Sequence, residues 1–544
     1  MKNPLECVRR ILELRGISAA ELDAFLKPAL DRLADASALP QIDLATDVIL
    51  GAVAAGKPIV IFGDYDCDGV CATAILSRTL KTLGAKVSEF IPKRIEEGYG
   101  MTDAALRRML KDNPEVKLVI TVDNGINSVE QVAELAAKGI EVVITDHHLP
   151  GEVLPKASAL VNPKVASPKE FEDLCGAGVA FLLARRLVDE ARQRKLYDGG
   201  PVAGPLLILA GLATVTDVMP VLGQNRILVA EALKRFFTCA PMGLKELYMR
   251  AARNGSNTLS TKDFGFLLGP RMNAAGRVAS GMEALELILS EDREIARELA
   301  RIIDGYNLER KSIEQKMLEE ALSKVVEGAA AQVIDLPTGH PGVAGIVAAR
   351  VMEKLGSKVP VCVYASGHGS GRAPEGFNLR DAFVACGAVL ERFGGHAAAG
   401  GFAVKSGKID EFRKLFCEYC EQNASGLSVA DETAPDLWLE AGEVTLELAD
   451  ALRQLEPFGE ANPEPRFGLK GVLVSDVRLL GNEGKHLSFS LSANGQRFRA
   501  VWWGHGSDIE RFRSAANLPR NVIFALDISD YGDRHIELRL VNML

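Results

Sequence analysis

The chain has 544 residues, 47% hydrophobic and 25% charged, enough for roughly two to four domains with cores of their own. A formal charge of −9 argues against a protein that coats nucleic acid by charge alone, although a narrow groove needs only local arginines to hold phosphates. No uninterrupted apolar run of about 18 residues occurs, and the start, MKNPLECVRRILELRGI, lacks the apolar stretch of a secretory signal, so a cytoplasmic protein without a membrane segment is expected.

Nine cysteines, most of them standing singly, suit a reducing compartment. The one CxxC, Cys417 and Cys420, lies in a charged helical stretch with no second pair and no neighbouring histidine, which does not support a zinc site. The first 50 residues read as helical and peripheral, broken at Pro28 and Pro40, and carry no chemistry.

The first strong signal is PIVIFGDYDCDG at 58–69. An apolar run, Ile59 to Phe62, empties into Asp64, Asp66 and Asp68; Gly63 and Gly69 allow a sharp turn, and helical spacing follows. Three acids at alternate positions repel one another, so a folded chain keeps them together only if a cation or several donors compensate. Alone, the motif is equally a polar turn with aspartate caps. Two further strands weigh against that: KLVITV (117–122) runs into Asp123, Asn124 and Gly125, and EVVIT (141–145) into Asp146, His147 and His148. Short buried strands ending in ligand-type side chains describe a parallel sheet with its site at the carboxyl ends. The three clusters should converge on one crevice.

Between these strands, KVSEFIPKRIEEGYG places Arg94 in a loop, solvated or touching substrate. In LLILAGLATVTDVMPVLGQNR an apolar helix delivers Asp217 into a turn marked by Pro220 and Gly223. An acid there is a satisfied buried carboxylate or a ligand, and the other clusters make a ligand the more economical account. LGPRMNAAGRV offers Arg271, Asn273 and Arg277 in a glycine- and alanine-rich turn, either phosphate donors or structural residues of a surface loop. Residues 283–328 carry apolar side chains at helical spacing, among them Ile295, Leu299, Ile303 and Met317, and read as a long connector. Three glycine-rich stretches follow within 331–405, with Arg372 and His396 in turns where backbone amides can approach a ligand. After Thr433 short alternating segments suggest an all-β module, a small barrel of the OB type. Arg497, Arg499, Trp502 and Trp503 there form a single-strand binding face or an aromatic core strand with solvated arginines.

GDYDCDG, VDNGI, TDHH and TVTDVMPVLGQNR, in this order and spacing, resemble the motifs of the DHH phosphoesterase superfamily, and FGGHAAAGGF resembles the GGH motif of its partner DHHA1 domain. With LGPRMNAAGR and the terminal β module, the chain from about residue 55 onward is similar to the RecJ single-stranded-DNA exonucleases. The resemblance implies an α/β protein: a helical segment at 1–50, a DHH parallel-sheet metal-binding domain at 51–282, a connecting helix at 283–330, a smaller α/β DHHA1 substrate-binding domain at 331–432 and an OB-like nucleic-acid-binding domain at 433–544. It implies two ions, Mn²⁺ or Mg²⁺, held by Asp66, Asp68, Asp123, His147 and Asp217, with Asp123 bridging and Asp64 a further ligand or an outer acceptor. Mostly oxygen donors with an imidazole suit these ions better than zinc. In some relatives outside the RecJ group a histidine stands where this chain has Phe62, so water is expected to fill that place.

By the same resemblance His148 faces the scissile phosphate, with Asp146 orienting its neighbours. Arg94, Arg271, Asn273, Arg277, Ser370, Arg372 and His396 would hold the 5′ end of a single strand. The implied activity is processive hydrolysis of single-stranded DNA from the 5′ end to mononucleotides, in repair and recombination. Single-stranded DNA is the implied partner, with a single-strand-binding protein or a helicase as further candidates. Two alternatives share the motifs: a DHH phosphoesterase of short oligonucleotides or cyclic dinucleotides, against which the β module speaks, and a metal-free replication scaffold, against which the complete acid and histidine set speaks. Truncation at about residue 430 is expected to separate the first alternative from the exonuclease.

Overall fold

The computed structural model describes all residues except 1–3, 201–202, 253–257, 424–433, 482, 515–517 and 530–533; the domain boundary expected at 432/433 lies outside the described residues. The chain divides into two compact units, Ala34–Met219 with Ala232–Ala430, and Met1–Leu33 with Pro220–Glu231 and Asp431–Leu544.

In the larger unit β1 (Pro58–Phe62), β2 (Lys86–Phe90), β3 (Leu118–Val122), β4 (Glu141–Thr145) and β5 (Ala159–Val161) form a parallel sheet in the order β2-β1-β3-β4-β5. β1, β3 and β4 are buried along almost their whole length, the pattern of strands covered on both faces. Val60, Phe62 and Val119 pack against Leu106, Met109 and Leu135 of the helices Asp103–Asp112 and Val129–Ala137. The helices Cys67–Thr82 and Gly176–Gln193 also pack on these strands. The order reverses between β1 and β3, and a crevice opens at such a switch point beyond the carboxyl ends. β5 has three residues, too few to show a period in sequence.

The connector is a helix of 31 residues, Arg293–Ser323, shorter than the stretch that reads as helical. A separate helix, Gly281–Leu289, ends at Ser290, and Asp292 starts the next by accepting from the N–H groups of Glu294 (2.8 Å) and Ile295 (3.0 Å). Beyond it a mixed sheet runs in the order β6-β7-β8-β10-β9: β6 (Gln332–Leu336), β7 (Val361–Ala365), β8 (His368–Arg372), β9 (Leu390–Gly395) and β10 (Ala399–Val404). β6 and β7 are parallel, the other pairs antiparallel.

This sheet corrects the reading of the glycine-rich stretches as open turns. GHGSGR contains β8, and the GGH stretch spans the β9–β10 hairpin. A Cβ at Gly369 would stand 2.2 Å from the Phe402 ring, and one at Gly371 2.8 Å from Leu379. Glycine there admits aromatic and aliphatic side chains against the strand.

In the smaller unit β12 (Phe467–Leu480), β13 (His486–Ala493), β14 (Gln496–Trp502), β15 (Arg520–Ser529) and β16 (His535–Met543) pair in the order β12-β13-β14-β16-β15, and a β12–β15 pairing closes them into a five-stranded barrel. β11 (Leu437–Trp438) adds to β12. Val8, Ile11, Leu12 and Phe25 are buried in the same core as Phe467, Leu491 and Phe524, so the N-terminal helix, which reads as peripheral, is part of this core. Along β14 Phe498 and Trp502 are buried while Arg497 and Arg499 are exposed. Trp502 is thus a core residue, stacked at 3.9 Å on His505, and only Trp503, 51% exposed, joins the arginines at the surface.

Candidate metal centre

Three strand ends and one helix end build the cluster. After β1, Asp66 caps the Cys67–Thr82 helix, one carboxylate oxygen accepting from the N–H groups of Asp68 (3.0 Å) and Gly69 (3.1 Å). The motif is therefore a helix cap as well as an acid cluster. Gly69 is obligatory, because a Cβ there would lie 2.6 Å from the Cβ of Asp64. After β3, Asp123 has φ of 60°, a conformation that non-glycine residues hold only where the surroundings enforce it; its N–H donates to the Thr145 carbonyl at 3.0 Å.

After β4, Asp146 accepts from the backbone N–H groups of Ile126 (2.9 Å), His147 (2.7 Å) and His148 (3.1 Å), and its Oδ1 lies 2.8 Å from His148 Nδ1. Burial opposes its charge, but these donors, with His148 foremost, hold the carboxyl below its usual range. Asp146 is thereby saturated and orients the two histidines.

Asp68 draws on an element whose role the sequence did not disclose. It accepts from the N–H groups of Gly176 and Ala177, each at 2.7 Å, at the start of the Gly176–Gln193 helix, where the helix dipole favours an anion. A Cβ at Gly176 would stand 2.6 Å from the Cβ of Asp123, so this glycine is a steric condition of the site. The available signal was the run Gly-Ala-Gly at a helix start.

His147 Nε2 lies 3.0 Å from Asp123 Oδ1, 3.6 Å from Asp68 Oδ2 and 3.7 Å from Asp217 Oδ2. Ligand-type atoms gather in three groups, each spanning no more than 4.8 Å: Asp123, His147 and His148; Asp68, His147 and Asp217; Asp64, Asp66 and Asp123. Asp123 and His147 each belong to two.

Burial, then mutual repulsion, raises the carboxyls of Asp64, Asp123 and Asp217 well above their ordinary value, and that of Asp68 to about 6. Burial, then the neighbouring His148, lowers His147 to about 3, leaving the neutral imidazole that a metal requires. His148 goes the other way: although burial disfavours its charge, Asp146 and the other carboxylates bring it to about 9. Oδ1 of Asp64 and of Asp123 are buried without a hydrogen-bond partner; His147 is close to the latter, but not in hydrogen-bonding geometry. Orphaned carboxylate oxygens, raised acids and a neutral imidazole together call for a cation, and a donor set rich in oxygen suits Mn²⁺ or Mg²⁺.

The residues expected to bind substrate separate into three sets. Arg94, Arg277 and Arg372 are brought together: burial and then Arg94 lower both Arg277, to about 9, and Arg372. Arg94 stacks over Tyr65 at 4.9 Å, and Arg372 Nη1 lies 3.4 Å from Ser370 Oγ. His396 stacks on His148 with ring centroids 5.9 Å apart. Asn273 instead accepts from the Cys67 N–H at 2.7 Å, and Arg271 pairs with Asp304 at 2.9 Å. Their stretch is also a helix, Gly269–Val278, rather than a turn; Gly276 lets it press on Tyr65, whose carbonyl a Cβ would meet at 2.2 Å. Sequence reasoning passed over Tyr99, whose hydroxyl lies 3.0 Å from His148 Nε2. The signal was an aromatic inside a loop bounded by Gly98 and Gly100.

This sheet and its acid and histidine cluster, joined to a mixed-sheet partner domain, define a DHH/DHHA1 protein: the chain matches the DHH family N-terminal domain over residues 58–204 and the DHHA1 domain over 328–422. The RecJ OB domain matches 435–542. The single-stranded-DNA-specific exonuclease RecJ of Escherichia coli K12 is 34% identical over 565 residues, covering 98% of this chain and 95% of its own. That of Bacillus subtilis is 31% identical over 90% of this chain, which spans 61% of the Bacillus protein's length. RecJ of Thermus thermophilus in complex with Mn²⁺ superposes with a TM-score of 0.84 at 32% identity, covering 98% of this chain and 75% of that one, and its Mg²⁺ complex with 0.77 at 30%, covering 98% and 74%. The chain belongs to the RecJ family.

Proposed function

We propose that this protein is a metal-dependent exonuclease that hydrolyses single-stranded DNA from the 5′ end, processively and to 5′-mononucleotides, in repair and recombination. The observation that carries the reading is the convergence of four aspartates and a histidine from four separate elements on Asp123 and His147, with orphaned carboxylate oxygens between them. Asp64, Asp66, Asp68, Asp123, His147 and Asp217 would hold two ions, Mn²⁺ or Mg²⁺, with Asp123 between them. Such a pair, when bound, supplies charge neutralisation at the phosphate and an acidified water.

The chain's own residues do the rest. His148, its Nδ1 held by Asp146 and its ring stacked on His396, lies with Nε2 beside the Tyr99 hydroxyl; release of that contact would turn Nε2 toward the scissile phosphate as a donor. Arg94, Arg277, Ser370 and Arg372 hold the 5′-terminal phosphate; the repulsion by which Arg94 adds to burial in lowering Arg277 and Arg372 is relieved by an anion. Asn273 and Arg271 support this machinery from behind.

We assign a helical N-terminal segment to 1–50, the catalytic domain to 51–282, the connecting helix to 283–330, the substrate-binding domain to 331–432 and the OB domain to 433–544, the last supplying a single-strand surface through Arg497, Arg499 and Trp503. No single helix among the described residues is long and apolar enough to cross a membrane, and we place the protein in the cytoplasm, working with a single-strand-binding protein or a helicase. The test is digestion of an oligonucleotide labelled separately at each end, with Mn²⁺, Mg²⁺ or EDTA. Metal-dependent release of mononucleotides from the 5′ end, lost in Asp123→Ala, is expected. Survival of long strands while di- and trinucleotides are cut would transfer the assignment to a short-substrate phosphoesterase.

A further inference from the structure

Among the described residues the two most exposed large apolar side chains are Phe266, at 76%, and Val218, at 65%. Both belong to the neighbourhood of Asp217. Val218 follows that residue directly and has φ of 56°. Phe266 lies in a π-helical turn, Asp263–Leu268, whose Phe264 and Leu268 are buried. A Cβ at Gly265 would stand 3.6 Å from Val215 Cγ1, and one at Gly269 2.4 Å from Thr216 Cγ2, so the turn lies flat along the last residues of the helix that delivers Asp217. Gly269 thus admits the close approach of the turn that carries the exposed ring, and Gly265 lies at van der Waals distance from the same helix. An extra residue wound into a helix turns one side chain away from the buried stripe and recurs at functional sites.

We propose that Phe266 is a stacking platform for a base of the single strand outside the metal centre. The proposal rests on the single-strand exonuclease reading. The platform continues into the Gly269–Val278 helix, whose Asn273 holds the metal loop through Cys67. Seven residues of helix separate Phe266 from Asn273, about 10 Å at 1.5 Å per residue, a distance spanned by about three stacked nucleotides. Every base has a π-face, so the contact is indifferent to sequence, as an enzyme that traverses a whole strand requires.

The test is steady-state cleavage of a 20-nucleotide strand and of a dinucleotide with Mn²⁺. Phe266→Ala is expected to raise KM for the long strand about tenfold, leave its kcat within about twofold, and leave dinucleotide cleavage unchanged, because a dinucleotide does not reach the platform. Phe266→Tyr and Phe266→Trp are expected to restore KM, and the extra tryptophan emission of Phe266→Trp over wild type to be quenched by the strand in EDTA. An unchanged KM in Phe266→Ala, an equal loss on the dinucleotide, or unquenched emission would overturn the platform. A wild-type protein that fails to cut long strands would remove the reading beneath it, an outcome visible before any variant is compared.

Discussion

Asn273 spends its side-chain carbonyl on the protein, while its amide N–H groups keep the chemistry of a phosphate donor. Its Oδ1 accepts from the Cys67 N–H at 2.7 Å, and Cys67 stands between Asp66 and Asp68. Asn273→Ala leaves the N–H without its acceptor, at a cost of about 1–3 kcal/mol, and frees the loop that carries two proposed ligands. The expected outcome is a lower urea midpoint and weaker Mn²⁺ binding by titration, with the midpoint largely recovered in Asn273→Asp, which keeps an acceptor; a midpoint equal to wild type in the alanine variant would show the bond to be idle. The ligand-type residues were legible because each follows the end of an apolar strand or, for Asp217, of an apolar helix by one to a few positions, so local spacing announces them. Asn273 and Gly176 were not, because their partners lie 206 residues away for the one and 108 for the other. A short motif records which groups cluster, and says nothing of which distant groups hold them.

At the level of elements, β1, β3 and β4 could be read because strands buried on both faces are continuous runs of branched apolar residues. The glycine-rich stretches could not, since composition does not separate a loop that admits a phosphate from a strand that admits Phe402. Arg271 could not be given its protein partner from sequence for a related reason: a guanidinium suits phosphate and carboxylate alike. Its partner, Asp304, sits on the Arg293–Ser323 helix and also binds Arg250 at 3.0 Å. The Arg271 and Asp304 side chains are only 12% and 15% exposed, so the bond ties the connector to the helix that carries Asn273 and Arg277. Asp304→Ala leaves a largely buried cation uncompensated and is expected to cost about 3 kcal/mol in urea unfolding. The double variant Arg271→Met with Asp304→Leu is expected to return most of it, because removing both charges also removes their desolvation. A double variant no more stable than Asp304→Ala would show that packing, not charge, is what was lost.

At the scale of the whole molecule, the barrel unit is not a detachable C-terminal appendage, because it includes residues 1–33 and 220–231. Arg226 fastens these three stretches within that unit. It is 2% exposed and donates to the carbonyls of Phe25 (2.7 Å), Leu455 (3.1 Å), Pro457 (3.2 Å) and Glu456 (2.7 Å), with burial pulling its pKa down to about 10. Truncation near residue 430 would strip it of these C-terminal acceptors and so confounds substrate preference with folding. Substitution of Arg497, Arg499 and Trp503 is the cleaner comparison. Arg226→Met is expected to lower stability by about 3 kcal/mol or more, since several carbonyls lose a charged donor at once; Arg226→Lys, with three donors and no planar fork, is expected to recover little of it. The metal centre sets a second global property, the dependence of stability on pH. Burial foremost raises Asp64, Asp123 and Asp217 well above the ordinary carboxylate value and Asp68 to about 6. Above about pH 4, where unfolded carboxyls have ionised, the metal-free folded chain therefore binds more protons than the unfolded one, and its stability falls as pH rises through 6 and beyond. His147, lowered to about 3, opposes this fall below about pH 6.5, and His148, raised to about 9, adds to it above that. A divalent cation takes the place of those protons and must compete with them where they are held most tightly. Thermal unfolding with and without Mn²⁺ at pH 5 and pH 8 should then show the larger metal-induced rise in Tm at pH 8. Equal increments at the two pH values would mean that these carboxylates are already ionised without the metal.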